Sequence, residues 1–318
     1  MSGKQIIAVV GATGAQGGGL ARAILEDTGG PFTVRAITRN PESEKARALA
    51  ERGAELVQAD LDDRASLQKA FAGAHGAYCV TNYWELFSPE REKAQARNLA
   101  EAAKAAGVEH VIWSTLEDTR QWVPLDDNRM PTLMDHYKVP HFDGKGEADG
   151  YFRELEVPTT FLLTTFYWDN FIHFGLEPQR NEDGTLVLNL PMGERKLAGI
   201  AAEDIGRVAY ALFKGGSKYV GETVGISGEH LTGQEMAAAM SEALGEPVQY
   251  NPVPFDAFRA LGFPGADDTG NMFQFYHDFE DHFSRSRPVE PTRALNPGLH
   301  SFRSWLSENK DGIPMGSG

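Results

Sequence analysis

The sequence predicts an α/β fold built on a doubly wound parallel sheet, with a smaller α+β cap. Three observations predict it. Short apolar runs alternate with stretches of helical periodicity through the first 170 residues. A glycine-rich turn, Gly11-Ala-Thr-Gly14-Ala-Gln-Gly17, stands between the first apolar run and the first helical one. Of the 318 residues, 41% are hydrophobic, enough to bury an extended core without disulfide or metal staples.

Taken in order, the runs at 6–10, 33–38, 55–58, 76–80, 108–114 and 159–164 are short and rich in Ile, Val, Thr and aromatic residues, and read as strands. The segments 19–26, 42–52, 65–71, 89–106 and 142–155 carry apolar residues at helical spacing and read as the crossover helices. Regularity breaks at 115–140, which contains Pro124, Pro131 and Pro140. A segment of this length after a strand end is either a substrate-facing lid or an irregular surface excursion. Beyond Asn170 the pattern changes. Residues 184–190 and 195–199 read as a hairpin, 203–213 and 232–244 as helices, and prolines from Pro252 to Pro297 separate short helical pieces that end at 301–308. The expected organisation is a Rossmann-type domain over 1–170 whose sheet is completed by later segments, a cap over most of 171–310, and a flexible tail at 311–318.

Forty-five acidic against thirty basic side chains leave a net charge of −15, which repels nucleic-acid phosphates and anionic membranes, so neither is expected as a direct partner. Cys79 is the single cysteine. It excludes an intramolecular disulfide and disfavours a thiolate metal site, although a lone thiol can react or pair between chains. The nine histidines show no ligand spacing, so no metal is expected. The first ten residues lack the apolar length of a signal sequence or membrane span, and a cytoplasmic location is expected.

The glycine turn carries the chemistry. Gly11 permits the tight turn, Gly14 lets the backbone approach a pyrophosphate, and Gly17 lets helix and strand pack closely. Phosphate charge then rests on the unpaired amides at the start of the helix. At the end of the second strand, Thr38-Arg39-Asn40 offers a cation and no carboxylate. Arg39 therefore favours a ribose 2′-phosphate, hence NADP(H), unless it is simply a solvated loop arginine. Asp60-Leu61 follows the third strand, to flank the adenine or to cap the next helix. Thr81-Asn82-Tyr83 follows the fourth, to line the nicotinamide ribose and pyrophosphate or to cover the core.

At these residues the chain resembles the NmrA-like family of atypical short-chain dehydrogenase/reductase proteins, and within it the NADPH redox-sensor group of the HSCARG type. The matching pieces are the Gly11–Gly17 turn, Thr38-Arg-Asn-Pro41, Thr81-Asn-Tyr-Trp-Glu85, His141-Phe-Asp-Gly-Lys-Gly-Glu147, Leu261-Gly-Phe-Pro-Gly-Ala266 and Asn271-Met-Phe273. The resemblance implies NADP(H) binding, a tendency to form homodimers, and cofactor contacts from Gly11, Thr13, Gly14, Ala15, Gln16, Arg39, Asp60, Thr81 and Lys145. It also implies contacts from the segment holding Tyr167 and Asn170. The sensor group carries a second basic residue shortly after the arginine, where this chain has Ser43 with Lys45 nearby.

Ordinary short-chain dehydrogenases pair a tyrosine with a lysine four residues on. This chain has His141 and Lys145, which share one helical face if a helix begins just after Pro140. Lys145 keeps a ribose role, and His141 is either a proton donor or a helix-start histidine. Ser114 and Thr115 occupy the usual place of a substrate-polarising hydroxyl or cap backbone groups. Tyr137 or Tyr167 could supply a phenol. Two functions follow as expectations. One is a redox-state sensor acting through protein partners, with Phe255, Phe258, Phe263, Phe273 and Phe275 forming a partner face or a core. The alternative is an NADPH-dependent reductase of a small carbonyl, imine or enone substrate. A third possibility, a scaffold with a vestigial site, predicts no nucleotide affinity.

Overall fold

A computed structural model describes residues 3–314; the expected tail residues 315–318 lie outside the described residues. Six strands alternate with five helices in chain order. They are β1 Gln5–Val10, α1 Ala15–Glu26, β2 Phe32–Thr38, α2 Glu44–Glu51, β3 Glu55–Gln58, α3 Arg64–Phe71, β4 Gly76–Cys79, α4 Pro89–Ala106, β5 His110–Thr115, α5 Pro140–Glu154 and β6 Thr159–Leu163. With the strand Thr223–Gly225 they form a seven-stranded sheet ordered Thr223–Gly225, β6, β5, β4, β1, β2, β3. β1 to β6 pair in parallel throughout. The order reverses at β1, which lies between β4 and β2, so a crevice opens at the carboxyl end of β1.

From α1 to α4 each helix is started by its own local chemistry, with one exception. Ser43 caps α2 by accepting from the Ala46 amide, Asp63 caps α3 through Ala65, and Ser88 caps α4 through Arg91 with Pro89 in the first turn. Ser43, where the sensor group has a base, is thus a structural cap. The exception is α1, which starts at Gly14 with no side-chain cap. Against the sheet, Leu67, Phe71, Leu99, Trp113, Phe152 and Phe161 share one buried cluster. Cys79 lies inside that cluster, and burial pushes its thiol well above its ordinary value, so it is not the reactive thiol a lone cysteine can be.

By contact density the chain forms two compact units. The first comprises residues up to 118, 141–164 and 203–224; the second comprises 119–140, 165–202 and the chain from 225 onward. In the first unit, Gly19 and Gly206 let α1 and the helix Ala202–Gly215 cross closely, since a Cβ on Gly19 would sit 2.7 Å from the Glu203 carbonyl oxygen. In the second unit, Phe166–Tyr167, Lys196–Ile200 and Glu229–Thr232 make one small sheet, and Gln179–Arg180, Leu186–Asn189 and Val248–Asn251 make another.

The hairpin expected between 184–190 and 195–199 does not form. Leu186–Asn189 pairs in parallel with Val248–Asn251, while Lys196–Ile200 joins the other sheet. Leu186, Val187 and Leu188 are buried in succession, the pattern of a strand covered on both faces rather than of an alternating hairpin arm. Segment 119–140 is irregular, as read from sequence, yet it is tied down within the second unit. The buried Lys138 ammonium donates to the carbonyls of Asp127 (2.7 Å) and Met130 (2.8 Å). Asn271 donates to the carbonyls of Pro131 and Lys138, and Gln274 to that of Arg129. The Asn271-Met-Phe273 motif is therefore an anchor for this segment. Phe258, Phe273 and Phe275 are core, which corrects the partner-face reading for those three; Phe263 and Leu261 are exposed. No described helix is long and apolar enough to cross a membrane.

Candidate functional site

The glycine turn takes the geometry its spacing requires. Gly11 has a φ of +63°, a region that L side chains rarely adopt, and its carbonyl accepts from the Gly14 amide at 2.8 Å. A Cβ on Gly17 would lie 2.5 Å from the Gly11 oxygen and 2.7 Å from that of Val10, so only glycine lets α1 rise against the end of β1. Gly14 and Ala15 are exposed and Thr13 is half-buried. The uncapped amides of α1 thus face the crevice at the sheet's reversal point, which suits a pyrophosphate.

Arg39, directly after β2, is exposed and ion-paired with Glu85, which ends the single 3-10 turn Tyr83–Glu85 beyond β4. The hydrogen bond that Arg39 donates to Glu85 raises the guanidinium above its ordinary value. The backbone around Arg39 is fixed, since Gln58 donates to its carbonyl at 3.1 Å and the Asn40 amide donates to Thr38. Asp60 accepts from the Asp62 amide and makes a local turn; the cap of α3 is Asp63. Asp62 pairs with Arg91, whose hydrogen bond holds the Asp62 carboxyl below the usual range. Leu61 packs against the buried cluster, and Asn98 donates to its carbonyl at 2.8 Å. Asn82 is exposed, whereas Tyr83 is buried.

α5 begins at Pro140, so His141 and Lys145 do share one helical face. All three ammonium protons of Lys145 are engaged: Nζ lies 2.6 Å from Glu92 Oε1, 2.8 Å from Thr81 Oγ1 and 3.3 Å from the Thr81 carbonyl. Thr81 in turn donates to Glu92 at 2.8 Å. Glu92 is buried, and its Oε2 has no hydrogen-bond partner. The glycines flanking Lys145 allow this approach. Gly144 passes Pro89 at the start of α4, and a Cβ on Gly146 would lie 2.4 Å from the Asp118 nitrogen.

His141 is 5% exposed and packs against the rings of Tyr83, Trp84 and Phe142, with centroids 5.8, 4.7 and 4.9 Å away. Ser114 is buried and donates to Gln16 Oε1 at 2.8 Å, where Tyr78 also donates. Thr115 donates to Asp149 at 2.6 Å and Trp113 Nε1 to the same oxygen at 2.9 Å. Burial pushes the Asp149 carboxyl up to about 6 against the pull of those donors.

In one unit, then, the fold assembles Gly11, Thr13, Gly14, Ala15, Gln16, Gly17, Arg39, Ser114, Thr81, His141 and Lys145. Tyr167 and Asn170 belong to the second unit, at the strand Phe166–Tyr167 and the start of the helix Asn170–His173, and Tyr137 is there too. Sequence reasoning assigned no role to Glu85, Glu92 or Asp149. Acidic residues early in a helix read as dipole partners, and nothing local marks Glu92 as the counter-ion of a lysine 53 residues away.

The NmrA-like family model matches residues 3–306. An NmrA-like family domain-containing oxidoreductase of Cladobotryum is 30% identical, with 91% of this chain and 89% of that one covered. Among solved structures, the negative transcriptional regulator NmrA superposes with a TM-score of 0.78 at 25% identity over 96% of this chain and 95% of its own, and it has been crystallised with NAD and with NADP. The triphenylmethane reductase of Citrobacter shares the fold, with a TM-score of 0.74 at 22% identity over 96% and 99% of the two chains. Match length and identity together establish that this chain belongs to the NmrA-like family.

Proposed function

We propose that this chain binds NADP(H) and acts as a redox-state sensor through protein partners, working as a cytoplasmic homodimer. The observation that carries this reading is a contrast within the first unit. The parts that would hold the phosphates are open, while the side chains a reductase would use to move a proton are spent on the protein itself. Gly14, Ala15 and Arg39 face solvent; His141 is enclosed by three aromatic rings, and Ser114 is bonded to Gln16. In this reading the α1 amides hold the pyrophosphate, Arg39 the 2′-phosphate, and Lys145 the nicotinamide ribose in exchange for one of its present bonds to Thr81 or Glu92. Nucleotide state then biases the arrangement of the loops that contact partners.

A second reading, an NADPH-dependent reductase of a small carbonyl, imine or enone, is supported by the word oxidoreductase in the names of relatives matched over more than 90% of this chain. The nucleotide would supply hydride. Lys145 would orient the ribose, and His141, Tyr137 or Tyr167 would deliver the proton that balances the hydride.

Calorimetric titration with NADPH, NADP+ and NADH, followed at 340 nm with a carbonyl and imine panel, separates the two. Tight NADPH binding without oxidation, accompanied by a nucleotide-dependent change in self-association or partner capture, is the expected result. Turnover on any panel member would establish the reductase instead. Absence of binding would overturn both.

A further inference from the structure

We propose that Glu85 determines nucleotide specificity: its carboxylate is paired with Arg39, and a ribose 2′-phosphate must displace it. The inference rests on the NADP(H) reading above. Its first support is topological. The strand order β4, β1, β2 places Glu85, beyond β4, and Arg39, after β2, on opposite sides of β1. Their ion pair therefore spans the carboxyl end of β1, where the Gly11 turn lies.

The second support is charge. Arg39 and Arg91 face three carboxylates, Glu85, Asp60 and Asp62, in one neighbourhood, and Arg91 is already committed to Asp62. A phosphate monoester adds roughly −1.5 to −2 at neutral pH. Three carboxylates and a phosphate cannot share two guanidinium groups without repulsion, and Glu85 is the anion bound to the cation the phosphate needs. The third support is ease of exchange. The two side chains are 62% and 42% exposed, so the pair is weak and water can replace either partner.

Release of Glu85 has a local consequence. It ends the turn whose Tyr83 and Trp84 rings cover His141, so displacement by phosphate loosens that turn, while a nucleotide without the 2′-phosphate leaves the pair closed. The molecule would then distinguish NADP from NAD by conformation as well as by affinity.

The test is Glu85→Gln, a change at an exposed turn, titrated with NADP+, NADPH, NAD+ and NADH. The expected result is a two- to fivefold gain in NADP(H) affinity, about the worth of one exposed ion pair, with NAD(H) affinity unchanged. Tryptophan emission of the wild type should respond to NADP+ and not to NAD+, and Trp84→Phe should remove that difference. Oxidised nucleotides are used because they do not absorb the emission. An equal gain for both nucleotides, or unchanged NADP(H) affinity, would overturn the inference and leave the binding reading standing. Absence of binding by all four would overturn both.

Discussion

Replacing Asp149 by asparagine should make the protein more stable at neutral pH and expose a pH dependence that the wild type conceals. Burial raises the Asp149 carboxyl from an ordinary 3.8 to about 6. Between those values the folded state holds a proton that the unfolded state has released, so stability falls as pH rises through the window, by about 3 kcal/mol in all. His110 works in the opposite direction. Its ring is buried, Nε2 bonds Thr160 at 2.8 Å, and Nδ1 has no partner. Burial first, and the charge of His75 second, depress it from 6.5 to about 4. Unfolded chains therefore take up a proton that the folded state refuses, and stability is lost as pH falls from 6.5 towards 4, again by about 3 kcal/mol. The two windows overlap and the signs oppose, so the wild type should be nearly flat between pH 4.5 and 6.

Asparagine keeps an oxygen to accept from Trp113 and Thr115 but never ionises. What it gives up is the Arg153 contact at 3.5 Å, a half-exposed pair worth under about 1 kcal/mol. Urea titrations from pH 4 to 8, followed by circular dichroism, provide the measurement. The stability difference between Asp149→Asn and wild type should grow by about 3 kcal/mol from pH 4 to pH 7.5. The variant alone should then weaken steadily below pH 6.5. A difference that stays constant across this range would mean that Asp149 ionises normally in the folded protein, and the desolvation argument would fail.

Three further outcomes follow from the same geometry. Gly17→Ala places a methyl 2.5 Å from the Gly11 oxygen and should abolish NADP(H) and NAD(H) binding together, measured by calorimetry; retained binding would remove the turn from the site. Arg39→Ala should weaken NADP(H) by roughly tenfold or more, the scale of a charge-assisted bond of 1.5–3 kcal/mol, and leave NAD(H) within twofold; equal losses would refute the 2′-phosphate role. Asn271→Ala strands the carbonyls of Pro131 and Lys138 and should cost about 2 kcal/mol in urea unfolding while making segment 119–140 the first site of proteolysis.

Which of these features can be read from sequence depends on how far apart the partners lie. The six strands, the tight turn at Gly11, the close packing at Gly17, and the shared helical face of His141 and Lys145 rest on local periodicity and backbone geometry, and all appear in the structure. The hairpin reading failed because Leu186–Asn189 turns back on the strand before it, Gln179–Arg180, and takes its other edge partner some sixty residues on, at Val248–Asn251, which leaves no edge for Lys196–Ile200. Segment 115–140 reads in sequence as a lid or an irregular excursion, because the anchors of its 119–140 part, Asn271 and Gln274, are more than 130 residues away. The same separation governs the functional reading. Ser114, His141 and Lys145 are reactive types at suggestive spacing, but Gln16, Trp84 and Glu92 already engage them. Proton delivery would require the fold to release Ser114 or His141, whereas phosphate binding at Gly14 and Arg39 requires only the exchange of a surface ion pair. That difference in cost is the physical reason to test for a ligand-driven rearrangement before testing for a reaction.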